Sequence, residues 1–335
     1  MYHRWLDHRD ERRAARGDAI KTAVNFALDT ELAFPDARSA GSVTAFCELA
    51  DKATSDPAFF DEPRCSNLDF EIEDRRIRFP SDMTTDIVEN NTVWARVTAS
   101  GRSDRALVVF HHWNASTQYR HLAWFFARRG LTVFEIAMPY HFERSRPGAS
   151  HADYMLSPSL GRTLQSMRQA VWDGRKLIRW LQQEGYREIS VLGLSLGSWV
   201  AGLIAAHDKA VSKAALLLTA GSLADMVWTG RATRSIRESL EPAIDLASLR
   251  RAWGPVDQER HLRRLARPGL DLQMVLALRD RVVLPELSQR LLQGLNDVGA
   301  TPRVLQLNCG HYSLSMPPYI FWAGVAVAGL LGHRH

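Results

Sequence analysis

Gly193-Leu194-Ser195-Leu196-Gly197 closes an apolar run, Ile189 to Leu194, and opens a helical run through Val200, Leu203 and Ile204. Reversing a strand into a helix this tightly strains the middle residue, so small neighbours are needed on both sides and the serine hydroxyl is lifted above the sheet edge. The helix that follows adds free N–H groups and the positive end of its dipole beneath the oxygen. Such a serine suits nucleophilic attack, but a hydroxyl is a weak nucleophile at neutral pH and needs a base, and the base needs an orienting group. Asp280, in ALRDRVV, and His311, in LNCGHYSL, follow in that order just past the later apolar runs Leu272 to Leu278 and Arg303 to Leu307. Asp225, after the run ending at Thr219, is the competing acid, and the bland alternative for Asp280 is an ion pair with Arg279 or Arg281.

Acyl transfer also needs two donors aimed at the developing oxyanion. The N–H of Leu196 supplies one, and the loop His111-His112-Trp113-Asn114, after the run Leu107 to Phe110, supplies the second through the N–H of Trp113. His111 and His112 have no carboxylate or cysteine at metal-ligand spacing, so no metal is expected. Cys309, two residues before His311, reads as packing beside a serine nucleophile. Neither G-x-x-x-x-G-K-[ST] nor G-x-G-x-x-G occurs, so no nucleotide cofactor is implied, and none of another kind is assigned.

GLSLG at 193–197, RD at 279–280, CGH at 309–311 and FHHW at 110–113, each at an apolar run's end, make the chain resemble an α/β-hydrolase-fold serine hydrolase over about residues 70–335. Many members carry His-Gly in the oxyanion loop where this chain has His111-His112. The segment Pro139 to Gly148 (PYHFERSRPG) is similar to that of uncharacterised bacterial α/β-hydrolase-domain proteins with a PYH-x-x-R segment, a resemblance that implies little about substrate. His112, His141 and Arg144 are the candidate substrate-binding residues, with Arg146 beside them, set against loop packing through arginine–carboxylate pairs. The expected reaction is hydrolysis of a carboxylic ester or thioester through an acyl-enzyme on Ser195, with amide hydrolysis second. The rival is a non-catalytic binding or scaffold protein on the same fold.

These residues need a frame. Besides the runs already named, Thr132 to Ala137 and Ala214 to Thr219 have strand length, and they read as strands of a mostly parallel, doubly wound sheet covered on both faces. Leu160, Leu164, Met167, Val171, Ile178 and Leu181 form one helical stripe; Leu287, Leu291, Leu295 and Val298 form another. Strand and helix alternate as in an α/β fold. Phe70 to Phe79 and Val93 to Ala99 are expected antiparallel strands at the sheet's start, and residues 1–65 a helical N-terminal extension preceding the hydrolase domain at 66–335. The interval at about 220–271 is too long for a plain connection and reads as a helical cap insertion, with Trp228 and Trp253 as candidate apolar walls.

The chain has 335 residues, enough for one large domain or two, and 46% are hydrophobic and 24% charged, an ordinary globular balance that excludes extensive disorder. Net charge is +5, and all the basic residues but five lysines are arginine, a mild bias that does not point to nucleic acid. Cys47, Cys65 and Cys309 are odd in number and lack CxxC spacing, which fits a reducing compartment. Met1 to Arg16 has no apolar h-region, so no secretory signal is expected and the cytoplasm is the default. Tyr319 to Gly332 is shorter than the roughly 20 residues that cross a bilayer. The partner these features imply is a small ester or acyl substrate; a homo-oligomer is left open.

Overall fold

The computed structural model describes residues 2–19, 25–37, 41–61 and 68–332; Cys65 lies outside them. Nine strands form one sheet: β1 (Glu71–Glu73), β2 (Arg76–Pro80), β3 (Thr92–Thr98), β4 (Arg105–Phe110), β5 (Thr132–Ile136), β6 (Glu188–Leu194), β7 (Val211–Leu217), β8 (Asp271–Ala277) and β9 (Arg303–Leu307). Their order is β1-β2-β3-β5-β4-β6-β7-β8-β9. The pairs β1–β2, β2–β3 and β3–β5 are antiparallel, and from β5 through β4 to β9 every pair is parallel. Phe70 to Phe79, read in sequence as one strand, is a hairpin that turns at Asp74, whose φ of 51° lies in the left-handed region that Asp tolerates better than most residues.

Successive residues of β4 point to opposite faces, and both faces are covered. Val108 and Phe110 join one core, Leu107 and Val109 the other. The first core is closed by the helices α3 (Val43–Ser55), α5 (Leu160–Gln183), α6 (Leu196–His207) and α11 (Pro285–Asp297). The second is closed by α4 (Arg120–Ala127) and α12 (Tyr319–Gly332), with Leu6 of α1 (Tyr2–Ala19). Because the central strands β4 to β8 are covered on both faces, they are nearly continuous apolar runs, and that is why they stand out in the sequence.

A short helix, α2 (Thr30–Ala33), packs on α5. The long connection between β7 and β8 is helical: α7 (Leu223–Thr229), α8 (Arg234–Leu240), α9 (Leu246–Ala252) and α10 (Leu262–Leu265). It packs against the N-terminal helices, α9 on α3 and α8 on α1, while the Arg231 N–H donates to the carbonyl of Arg281 across the carboxyl edge of the sheet. Among the described residues no helix is long and apolar enough to cross a membrane.

Candidate active site

At the end of β6 the chain turns through Ser195, which takes φ 51° and ψ −123° before α6 begins. Side chains leave no room here. A Cβ on Gly193 would stand 2.2 Å from the carbonyl oxygen of Gly197, and one on Gly197 would stand 2.3 Å from that of Phe110. The glycines therefore let the turn close on itself and on the end of β4, and the serine between them bears the strained conformation. The turn is tied down by the Ser195 N–H donating to the Leu217 carbonyl at 2.9 Å.

Two later strands bring side chains to this serine. Nε2 of His311 lies 3.0 Å from Oγ of Ser195, and Nδ1 lies 2.7 Å from Oδ2 of Asp280. Asp280 is 4% exposed. Its other oxygen, Oδ1, accepts from the N–H groups of Val282 and Val283 at 2.7 and 2.9 Å, which fixes the carboxylate before the histidine meets it. Arg279 and Arg281, the arginines beside it in sequence, pair instead with Asp7 and Glu11. Asp225 is held by Arg250 and Arg290, which keep its carboxyl below the usual range against the opposing effect of burial. Burial, with the nearby carboxylates of Asp280 and Asp10, pushes the Cys309 thiol up to about 12, so it stays protonated and unreactive at neutral pH.

The loop after β4 is organised by three histidines. The backbone N–H of Met138 donates to Nε2 of His111, and that of Asn114 to Nε2 of His141. A backbone N–H can only donate, so both rings accept at Nε2 and carry their proton on Nδ1, which faces the carbonyl of His112 in one case and Pro139 in the other. The Trp113 indole N–H donates to the Ala152 carbonyl at 3.0 Å, and the Asn114 side chain accepts from the Ala152 N–H at 2.8 Å. Leu196 stands at the first position of α6, where an N–H has no partner within its own helix. His112 differs from its neighbours. Tyr119 Oη accepts from the His112 backbone N–H and also meets its ring Nδ1, which leaves Nε2 of this ring without a contact to Tyr119.

Two residues expected at the substrate sit elsewhere. Arg144 is 0% exposed and Asp173 1%. Nη1 of Arg144 lies 2.8 Å from Oδ2 of Asp173, and the guanidinium also donates to the carbonyls of Asn90 and Ala137. His141 is equally enclosed, and it holds the Asn114 turn rather than facing a ligand. Both misplacements have one cause: polar residues after a strand end look exposed in sequence, while the partners that bury them come from distant segments. Arg144→Met is therefore expected to cost about 3–5 kcal/mol of stability by stranding the Asp173 carboxylate, with KM unchanged, as read by denaturant melts beside ester kinetics. Trp253, a proposed wall, is buried in the core, and Trp228 packs partly against it. Among the described residues no three His, Cys, Asp or Glu side chains come together as metal ligands.

Burial holds three imidazoles near the site in the neutral form: His112 is lowered to about 3, His141 to about 4, and His111 well below its ordinary value. A general base must be unprotonated to act. His112 and His141 therefore add no protonation of their own to the profile of log kcat/KM against pH above about 4, where one essential base gives a limiting slope of one. A slope of two would mean that a second group has to lose its proton.

No protein-family model matches the chain. An uncharacterised protein of Mycobacterium tuberculosis is 27% identical over 131 residues, which are 39% of this chain but only 29% of that protein. Among solved structures, acetyl xylan esterase 1 from Thermoanaerobacterium superposes with a TM-score of 0.60 at 14% identity, covering 95% of this chain and 98% of that one. Pyrococcus horikoshii acylaminoacyl peptidase gives 0.60 at 11% identity over 79% of this chain and 43% of its own. A puromycin-hydrolyzing peptidase of Mycobacterium tuberculosis gives 0.54 at 17% over 72% and 38%. The chain thus spans about two fifths of each peptidase and nearly the whole esterase. With a mostly parallel sheet, helices on both faces and a serine on the β6–α6 turn, the chain has the α/β-hydrolase fold.

Proposed function

We propose that the chain is a serine hydrolase that cleaves a carboxylic ester or thioester through an acyl-enzyme on Ser195. The observation that carries this reading is the line of contacts Ser195 Oγ, His311 Nε2, His311 Nδ1, Asp280 Oδ2, at 3.0 and 2.7 Å. In this reading His311 takes the proton of Ser195 as the hydroxyl oxygen attacks the acyl carbon. Asp280 keeps the imidazole in the tautomer with Nδ1–H and stabilises the cation that forms. The N–H groups of Leu196 and Trp113 receive the oxyanion. The protonated His311 then gives its proton to the departing alcohol or thiol, and water, deprotonated by the same histidine, releases the acid.

His112 fits a further part, meeting a polar group of the substrate through Nε2, since Tyr119 engages the other ring nitrogen. Esters and thioesters are favoured because their leaving groups depart without further machinery; amides come second. A small acyl compound in the cytoplasm is the substrate setting we propose. A non-catalytic scaffold has no use for a serine held under strain within hydrogen-bonding distance of a carboxylate-oriented histidine. Incubation with a fluorophosphonate probe and a panel of p-nitrophenyl esters of increasing chain length tests the reading. Labelling at Ser195 with turnover of at least one ester supports it. Neither labelling nor turnover in the folded protein would leave the scaffold reading in its place.

A further inference from the structure

The N-terminal helix is polar almost throughout, yet its acidic residues are not scattered. Asp7, Asp10 and Glu11 are three and four positions apart, on one face of α1. Asp10, 8% exposed, reaches from that face into the turn that carries His311. Its Oδ2 accepts from the backbone N–H groups of Tyr312 and Ser313, both at 3.2 Å, and from the Ser313 hydroxyl at 3.0 Å. That hydroxyl in turn accepts from the Gly310 N–H at 2.8 Å. The backbone on either side of His311 is thus tied, directly or through one hydroxyl, to a single carboxylate. Gly310 makes this approach feasible, because a Cβ there would lie 2.2 Å from the same Oδ2.

The other two acids grip the second loop of the site. Asp7 Oδ1 accepts from Arg279 Nε at 2.8 Å, and Glu11 Oε2 accepts from Arg281 Nη1 at 3.2 Å, on the two sides of Asp280. One helix face therefore holds both the loop of the acid and the loop of the base. The Glu11 pair, with Arg281 largely in solvent, adds little by itself, and the half-buried Asp7 pair somewhat more. Asp10 differs from both in being buried and in gathering three donors of one turn on a single oxygen.

We propose that Asp10 is a positioning residue of the hydrolase reaction: it sets the 310–313 turn so that His311 stays within reach of Ser195, and α1 is in this way part of the catalytic apparatus although it touches no reacting atom. The inference rests on the serine-hydrolase reading above. A displacement of about 1 Å between reacting groups can cost on the order of 10²-fold in rate.

The test compares the full-length chain with its Asp10→Ala and Asp10→Asn variants. Three quantities are read: kcat and KM on an ester, the rate of fluorophosphonate labelling at Ser195, and the downfield proton resonance of the His311–Asp280 hydrogen bond. Asp10→Ala is expected to lower kcat and the labelling rate by about 10²-fold, to leave KM within about twofold, and to broaden the resonance, with the circular dichroism of the folded chain retained. Asp10→Asn keeps one oxygen for the backbone donors and should lose less. If Asp10→Ala fails to fold, Asp10→Asn decides. Wild-type kcat and labelling rate in a folded variant overturn the proposal, as does a lower melting temperature with unchanged turnover by the folded protein. A wild-type chain that takes no label at Ser195 sinks the hydrolase reading, and the proposal with it.

Discussion

Ser195→Ala is expected to abolish fluorophosphonate labelling and to lower ester turnover by about 10⁴- to 10⁶-fold while leaving the fold intact. A methyl group cannot form the acyl-enzyme, and no neighbour can substitute: Cys309 is buried with its thiol pushed up to about 12. The fold should survive because Ser195 makes its structural bonds through the backbone, the N–H to Leu217 and the carbonyl to Ser198. Relief of the positive φ is not expected either, since alanine is no more at ease there than serine. Circular dichroism and kcat on the same preparation check both halves. Full activity in the folded variant would remove Ser195 from the mechanism.

The second large effect separates two carboxylates. Asp280→Asn should lower kcat by about 10⁴-fold, because an amide in place of Oδ2 no longer holds the Nδ1–H tautomer of His311 and no longer stabilises its cation. Val282 and Val283 can still donate to the remaining carbonyl oxygen, so the loop should keep its shape. Asp225→Asn, in the β7–β8 connection, breaks ion pairs with Arg250 and Arg290 and should reduce stability while changing kcat by less than about tenfold. The comparison is kcat for the two variants at equal folded fraction. A crippled Asp225→Asn beside a normal Asp280→Asn would mean that the 220–271 segment supplies the acid.

Much of the fold is legible in the sequence because central strands covered on both faces have to be written as apolar runs, and the six runs from Leu107 to Leu307 each become one parallel strand. Likewise the stripes beginning at Leu160 and Leu287 become α5 and α11. What failed is instructive. Alternation across Phe70 to Phe79 carries no mark of the reversal at Asp74, since both arms of a short hairpin alternate alike. Ser195, Asp280 and His311 each follow a strand end, a position visible along the chain, and the fold brings their side chains into contact. His141 and Arg144 also follow a strand end, but burial depends on what lies over them, and Asp173 and Asn90 come from segments with no local signature. The purpose of α1 was hidden for the same reason: the spacing of Asp7, Asp10 and Glu11 is visible, while Arg279, the partner of Asp7, lies 272 positions away.

In the proposed reaction the acyl group passes through Ser195. Mixing the enzyme at high concentration with p-nitrophenyl acetate, quenching in acid within the first turnover and mapping the peptides by mass spectrometry tests it directly. The expected result is a burst of p-nitrophenol stoichiometric with enzyme and an acetyl group on the peptide containing Gly193 to Gly197, located on Ser195 and missing from Ser195→Ala. Steady turnover with no burst and no acylated Ser195 peptide, or an acetyl group on another residue that forms and decays at the rate of turnover, would contradict it.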